Sequence, residues 1–154
     1  MSIFKRKRKI FLLIFSICFS ISTVIFLLIK SNIFTQAFKK GDVTYTEIGI
    51  DQAIERFDEG SYIFLDTRSN FFYRMGHIKN SINFPIENFN QRIDNFKNKF
   101  PKNSKIVIYC DGLSCSSSYI LAKMLCKRGY FSIEVLFKGW EAWVNRSYPI
   151  EKSD

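Results

Sequence analysis

"SKIVIYCDGLSCSSSYILAKMLCKRGY", Ser104–Tyr130, is the stretch from which the rest of the chain can be read. Ile106, Val107, Ile108 and Tyr109 run together, the pattern of a strand buried on both faces. Cys110 follows at once, then the short loop Asp111, Gly112, Leu113, Ser114 and Cys115. From Ser116 the pattern turns helical. Serines suited to a helix start come first, Leu121, Met124 and Leu125 share one face, Lys127 and Arg128 fall in the last turn, and Gly129 ends it. A buried strand, a tight loop and a helix N-terminus form one unit of a parallel sheet. In such sheets, sites lie beyond the carboxyl ends of the strands.

The same alternation continues in both directions. In "TEIGIDQAIERFDEG", Thr46–Gly60, Ile50, Ala53, Ile54 and Phe57 recur at i, i+3, i+4 and i+7, which predicts a helix stopped by Gly60. "SYIFLDTR", Ser61–Arg68, and "SINFP", Ser81–Pro85, are short apolar runs that predict strands. "ENFNQRIDNF", Glu87–Phe96, places Phe89, Ile93 and Phe96 on one side of a helix. "IEVLF", Ile133–Phe137, predicts a further strand, and "GWEAWV", Gly139–Val144, a short closing helix. Alternating strands and helices predict an α/β fold, three layers with a mostly parallel central sheet.

The chain has 154 residues and a net charge of +9, which invites a nucleic-acid reading. The location of that charge argues against it. Of 23 basic residues, eight lie in residues 1–40, where there is no acidic one, so residues 41–154 hold 15 basic and 14 acidic groups. The folded part lacks the basic face that phosphate binding needs, and no nucleic-acid partner is expected. The basic N-terminus, residues 1–9, precedes "IFLLIFSICFSISTVIFLLI", residues 10–29, an uncharged run of 20 residues. At 1.5 Å rise per residue such a run spans roughly 30 Å, the thickness of the hydrocarbon core. It predicts a single transmembrane signal anchor with Cys18 as one of its apolar residues. The positive-inside rule puts the N-terminus in the cytoplasm and the rest in the periplasm or outside the cell. A cleaved signal peptide is the rival reading, although its apolar core would be shorter. Residues 30–43 read as a linker and residues 44–152 as the domain.

At the end of a buried strand, loop amides and a helix dipole would face the Cys110 sulfur and favour its thiolate, the nucleophilic form. Gly112 would let consecutive amides turn inward. A buried structural cysteine is the alternative. Cys126, late in its helix, reads as a buried apolar contact. His77, the only histidine, reads as loop support or a general base, and Trp140 and Trp143 read as core packing. One histidine and three cysteines beyond the membrane run, without close ligand spacing, predict no metal site, and no cofactor is expected.

Four separated segments resemble the single-domain rhodanese-like, or sulfurtransferase, family. "FLDTR", Phe64–Arg68, is similar to its strand ending in Asp-x-Arg. "YRMGHIKNSINFP", Tyr73–Pro85, resembles its Gly-His-Ile and Asn-x-Pro signature, with Ser81 where a small residue is usual. "IVIYC", Ile106–Cys110, resembles the active-site strand. "VLFKGWEAWVNRSYPIE", Val135–Glu151, resembles the closing Gly-Gly-x-x-x-Trp segment, with Lys138 in place of the first glycine. The resemblance implies that Cys110 carries a persulfide, loaded by a small sulfur donor and unloaded by a thiol acceptor. It implies that residues Asp111, Gly112, Leu113, Ser114, Cys115 and Ser116 hold the sulfur, with Asp66 and Arg68 supporting the loop.

The loop departs from many active members, carrying Asp111 and no Lys or Arg, which speaks against thiosulfate as the physiological donor. With Ser116 where the related phosphatases need arginine, phosphate chemistry is not expected. The loop is closer to a subgroup with Cys-x-Gly-x-x-Cys, in which Cys115 can resolve a Cys110 persulfide by expelling sulfide and leaving a disulfide. Three readings therefore stand: a membrane-anchored sulfurtransferase, a thiol–disulfide or sulfide-responsive protein, and a catalytically silent binding module.

Overall fold

Apolar side chains that point alternately to the two sides of a strand supply both faces of a sheet, and Ile106–Tyr109 does this at the centre of the fold. The computed structural model describes residues 44–153. The predicted basic N-terminus, membrane segment 10–29 and linker 30–43 lie outside the described residues. Among the described residues, no helix is long and apolar enough to cross a membrane.

The elements run β1 (Thr46–Ile48), α1 (Ile50–Glu59), β2 (Ile63–Asp66), α2 (Asn70–Met75), β3 (His77–Ile78), β4 (Ile82–Asn83), a 3-10 turn (Ile86–Asn88), α3 (Phe89–Lys99), β5 (Ile106–Tyr109), α4 (Ser117–Lys127), β6 (Ile133–Leu136), α5 (Gly139–Asn145) and β7 (Ile150–Glu151). Five strands form one parallel sheet in the order β1-β6-β5-β2-β4. Ile106 and Ile108 of β5 join the core formed with Phe89, Ile93 and Phe96 of α3 and Leu121 and Leu125 of α4. Val107 and Tyr109 join the opposite core, with Ala53 of α1 and Trp143 of α5. The two-residue period of a strand thus sends α3 and α4 to one face and α1 and α5 to the other. This is the expected three-layer α/β arrangement.

Several boundaries differ from the sequence reading. Thr46–Ile48, read as the start of the first helix, is edge strand β1, pairing Thr46 with Glu134 and Ile48 with Leu136. The helix begins only after Gly49, whose N–H donates to the Gln52 side chain at 3.0 Å. Gly60 closes it in a left-handed conformation, φ 66°, as expected of a glycine stop. Helix α2 was not expected. Neither was the small antiparallel sheet of β3 and β7, which pairs His77 with Glu151.

Candidate functional site

Parallel pairing brings the carboxyl ends of β2, β5 and β6 side by side. Asp66 is in register with Tyr109, and Thr67 is fastened to the Tyr109 carbonyl through both its N–H and its hydroxyl, each at 3.0 Å. The Asp66–Arg68 segment and Cys110 therefore meet as the sequence reading required. From the other side, β6 delivers Lys138 and Gly139. The Trp140 N–H donates to the Cys110 carbonyl at 2.7 Å and the Glu141 N–H to the Asp111 carbonyl at 2.9 Å.

Arg68 is the hub of this end of the sheet. Its Nη2 donates to Asp66 Oδ2 and to the Gly76 carbonyl, both at 2.7 Å. Its guanidinium stacks 4.4 Å from the Trp140 ring, and Nη1 lies 3.9 Å from Asp111 Oδ1 in the loop. Burial works against the charged form. The hydrogen bonds and charge of Asp66 outweigh it and hold the guanidinium pKa above its ordinary value. Asp66 and Arg68, both buried, thus form a rigid ion pair with one face on the loop. Trp140, expected in the core, is half-buried on that pair, while Trp143 is fully buried as expected.

Cys110 and Cys115 form a disulfide, with Cα atoms 6.1 Å apart. Cys110 is 4% exposed, whereas Cys115 is half-buried. Beside them is a crevice of about 20 Å³, lined by both cysteines, Gly112, Leu113, Ser118, Tyr119, Leu136, Phe137, Lys138 and Gly139. That is room for about one water. Asp111, Leu113, Ser114 and Ser116 are exposed around it.

Some expected details differ. Gly112 does not adopt a left-handed backbone. A Cβ there would come within 2.9 Å of Glu141 Oε2, the end of a flexible side chain that can turn aside. The Cys115 N–H is spent on the Gly112 carbonyl at 3.1 Å rather than turned toward the sulfur. Ser116 occupies the N-cap of α4 without a side-chain capping bond. Cys126 is half-buried rather than buried, with Sγ 3.5 Å from the Thr44 carbonyl, and burial raises its thiol pKa. His77 is buried, with Nδ1 2.8 Å from the Tyr73 carbonyl and Nε2 3.0 Å from Glu151 Oε1, so both nitrogens serve to hold α2 and β7 together.

Lys138 is the functional candidate that the sequence reading passed over. It was seen only as a replacement for a glycine, and it keeps the glycine's backbone, with φ 60°. It lines the crevice and makes no ion pair among the described residues. A cation directly after a strand that neighbours the cysteine strand was the available signal.

The rhodanese-like domain model matches residues 50–146. The chain belongs to the rhodanese-like family. It is 29% identical over 103 residues to a tRNA uridine(34) hydroxylase of Legionella pneumophila, covering 63% of this chain and 41% of that one. It is 32% identical over 78 residues to a tRNA uridine(34) hydroxylase of Yersinia pestis, covering 46% of this chain and 21% of that one. The chain thus spans about two fifths or less of the length of these curated relatives. Among solved structures, a rhodanese-related protein from Thermoplasma volcanium superposes with a TM-score of 0.59 at 24% identity, over 71% of this chain and 100% of that one. A protein from Bacillus halodurans gives 0.61 at 23% identity, over 80% and 86%. These structures establish the rhodanese-like fold.

Proposed function

We propose that this rhodanese-like domain is a sulfurtransferase that carries sulfane sulfur as a persulfide on Cys110. The observation that supports it is the position of Cys110, at the head of a loop where β2, β5 and β6 end, with the Asp66–Arg68 pair behind it. In the reduced protein, the Cys110 thiolate attacks the outer sulfur of the donor. The bond joining that sulfur to the rest of the donor breaks (S–S in thiosulfate or a polysulfide, C–S in a mercaptan whose carbanion a neighbouring carbonyl stabilises), the remainder leaves as an anion, and Cys110–S–S⁻ is formed. A thiol acceptor then attacks the outer sulfur and restores the Cys110 thiolate. Residues 10–29 anchor the chain in the membrane, with the domain outside the cytoplasm. The tRNA named for the relatives is not carried over, since residues 41–154 are nearly balanced in charge.

The test is mass spectrometry of the reduced chain after exposure to thiosulfate, polysulfide or a mercaptan donor. Wild type should gain one sulfur atom and Cys110→Ser none. If none of the three donors loads the wild type, the reading fails.

The disulfide favours a second reading. Cys115 attacks the inner sulfur of the Cys110 persulfide, the persulfide bond breaks, and hydrosulfide leaves with the Cys110–Cys115 bridge in its place. Under this reading the domain converts sulfane sulfur to sulfide and awaits a reductant. Sulfide release from the persulfide form, absent in Cys115→Ser, distinguishes it from transfer to an external acceptor.

A further inference from the structure

A reducing thiol that meets the Cys110–Cys115 bridge must attack one sulfur and expel the other, and the two are not equivalent here. Attack runs along the S–S axis from the side opposite the leaving sulfur, so access behind each sulfur decides the choice. Cys110 is 4% exposed and continues directly from the fully buried Tyr109. Its backbone is also pinned. The carbonyl accepts the Trp140 N–H at 2.7 Å, and Gly139 presses so close that a Cβ there would meet that oxygen. Cys115 is half-buried in the exposed loop, and its backbone N–H bonds only within that loop, to Gly112. Cys110 is thus covered and held, whereas Cys115 is half-buried, with Sγ 3.6 Å from the Ser117 hydroxyl at the start of α4.

We infer that an external thiol opens the bridge by attacking Sγ of Cys115, which makes Cys115 the entry point for the reductant and Cys110 the leaving group. In the first step RS⁻ bonds to the Cys115 sulfur, the Cys115–Cys110 bond breaks, and the electron pair leaves on Cys110 as thiolate. A second RS⁻ then attacks the RS sulfur of the mixed disulfide, giving RSSR and the Cys115 thiolate. Two thiolates supply the two electrons, and the protein ends with both cysteines reduced. This inference rests on the cysteine pair and not on sulfur loading at Cys110.

The test uses the full oxidised chain and limiting glutathione. The reaction is quenched in acid, remaining thiols are alkylated with N-ethylmaleimide under denaturing conditions, and peptides are read by mass. Glutathione on Cys115 with maleimide on Cys110 should exceed the reverse pairing by about tenfold or more. Cys126 should carry maleimide throughout. Glutathione chiefly on Cys110, an even division between the two cysteines, or two free thiols at these positions in the air-oxidised chain would each overturn the inference. Cys115-selective attack in a chain that never accepts sulfur from a donor would defeat the sulfurtransferase reading and leave this inference standing.

Discussion

A methyl group at position 139 would lie 2.0 Å from the Cys110 carbonyl oxygen, on a residue whose φ is +46°. The obstacle is backbone on both sides, so no side chain can yield. Gly139→Ala should cost about 2–4 kcal/mol in urea unfolding, through overpacking and a left-handed alanine. It should also slow sulfur loading, because the Cys110 carbonyl must give up the Trp140 N–H. An unchanged midpoint would show that the α5 start is not held as tightly as the contact implies. The neighbouring Lys138 has the opposite sign. At φ 60° a lysine is strained by about 1–2 kcal/mol, and a glycine returns roughly half of that as unfolded-chain entropy. Lys138→Gly should therefore raise stability by about 0.5–1 kcal/mol. Lys138→Gln, which keeps the strain and removes only the charge, isolates the electrostatic role. Loading by thiosulfate should slow about three- to tenfold at low salt, and the difference should shrink at about 1 M salt, where the Debye length is about 3 Å. A neutral organic polysulfide should load both forms alike.

The turn after β2 is built around a charge that cannot reach water. Removing the Arg68 guanidinium leaves Asp66 fully buried without its partner. Arg68→Ala should cost about 3–5 kcal/mol, the range for breaking a buried pair from one side. Arg68→Lys keeps the charge but loses the forked bonds to Asp66 and the stacking on Trp140, so it should be destabilising by a smaller amount in the same urea assay. Equal losses in the two variants would mean that charge alone holds the turn. Strand β5 and helix α4 could be read from the sequence because each buries a periodic set of side chains. The short elements could not. Helix α2 buries none of its residues and leaves Phe71, Phe72 and Met75 exposed, so it has no inward stripe to detect. Strands β3 and β7 are two residues each and exist only through a pairing across some seventy positions. Strand β1 has one buried residue, Ile48, too few for alternation to show. At the site, Cys110, Asp66 and Arg68 were legible because strand ends in a parallel sheet converge. The bridge to Cys115, the stacking of Trp140 and the place of Lys138 depend on loop paths that local pattern does not encode.

The fold as a unit also fixes how stability depends on alkali. Tyr109 joins two parts of the structure, accepting the Ile78 N–H at 3.1 Å and sharing a hydrogen bond with the Ser81 hydroxyl at 3.0 Å. Burial above all, then the charge of Asp66, pushes its phenol well above the ordinary tyrosine range, against the opposing hydrogen bonds from Ser81 and Ile78. A raised acid pKa in the folded state sets the sign. Below about pH 10 the phenol is neutral in both folded and unfolded chains, and its contribution is fully present. Above that value the unfolded chain releases the proton first, so stability falls as pH rises toward the folded pKa. Tyr73, Tyr119 and Tyr130 shift the same way and add to the decline. Urea midpoints should therefore show no tyrosine-linked loss between pH 7 and about pH 9 and fall beyond about pH 10. Tyr109→Phe separates its share from the rest. The variant should be weaker at neutral pH by about 1–2 kcal/mol, because the Ile78 N–H loses its acceptor. Its alkaline fall should then be shallower than wild type by close to one proton, or about 1.4 kcal/mol per pH unit. Parallel curves for the two proteins would place the alkaline sensitivity elsewhere and refute the role given to this phenol.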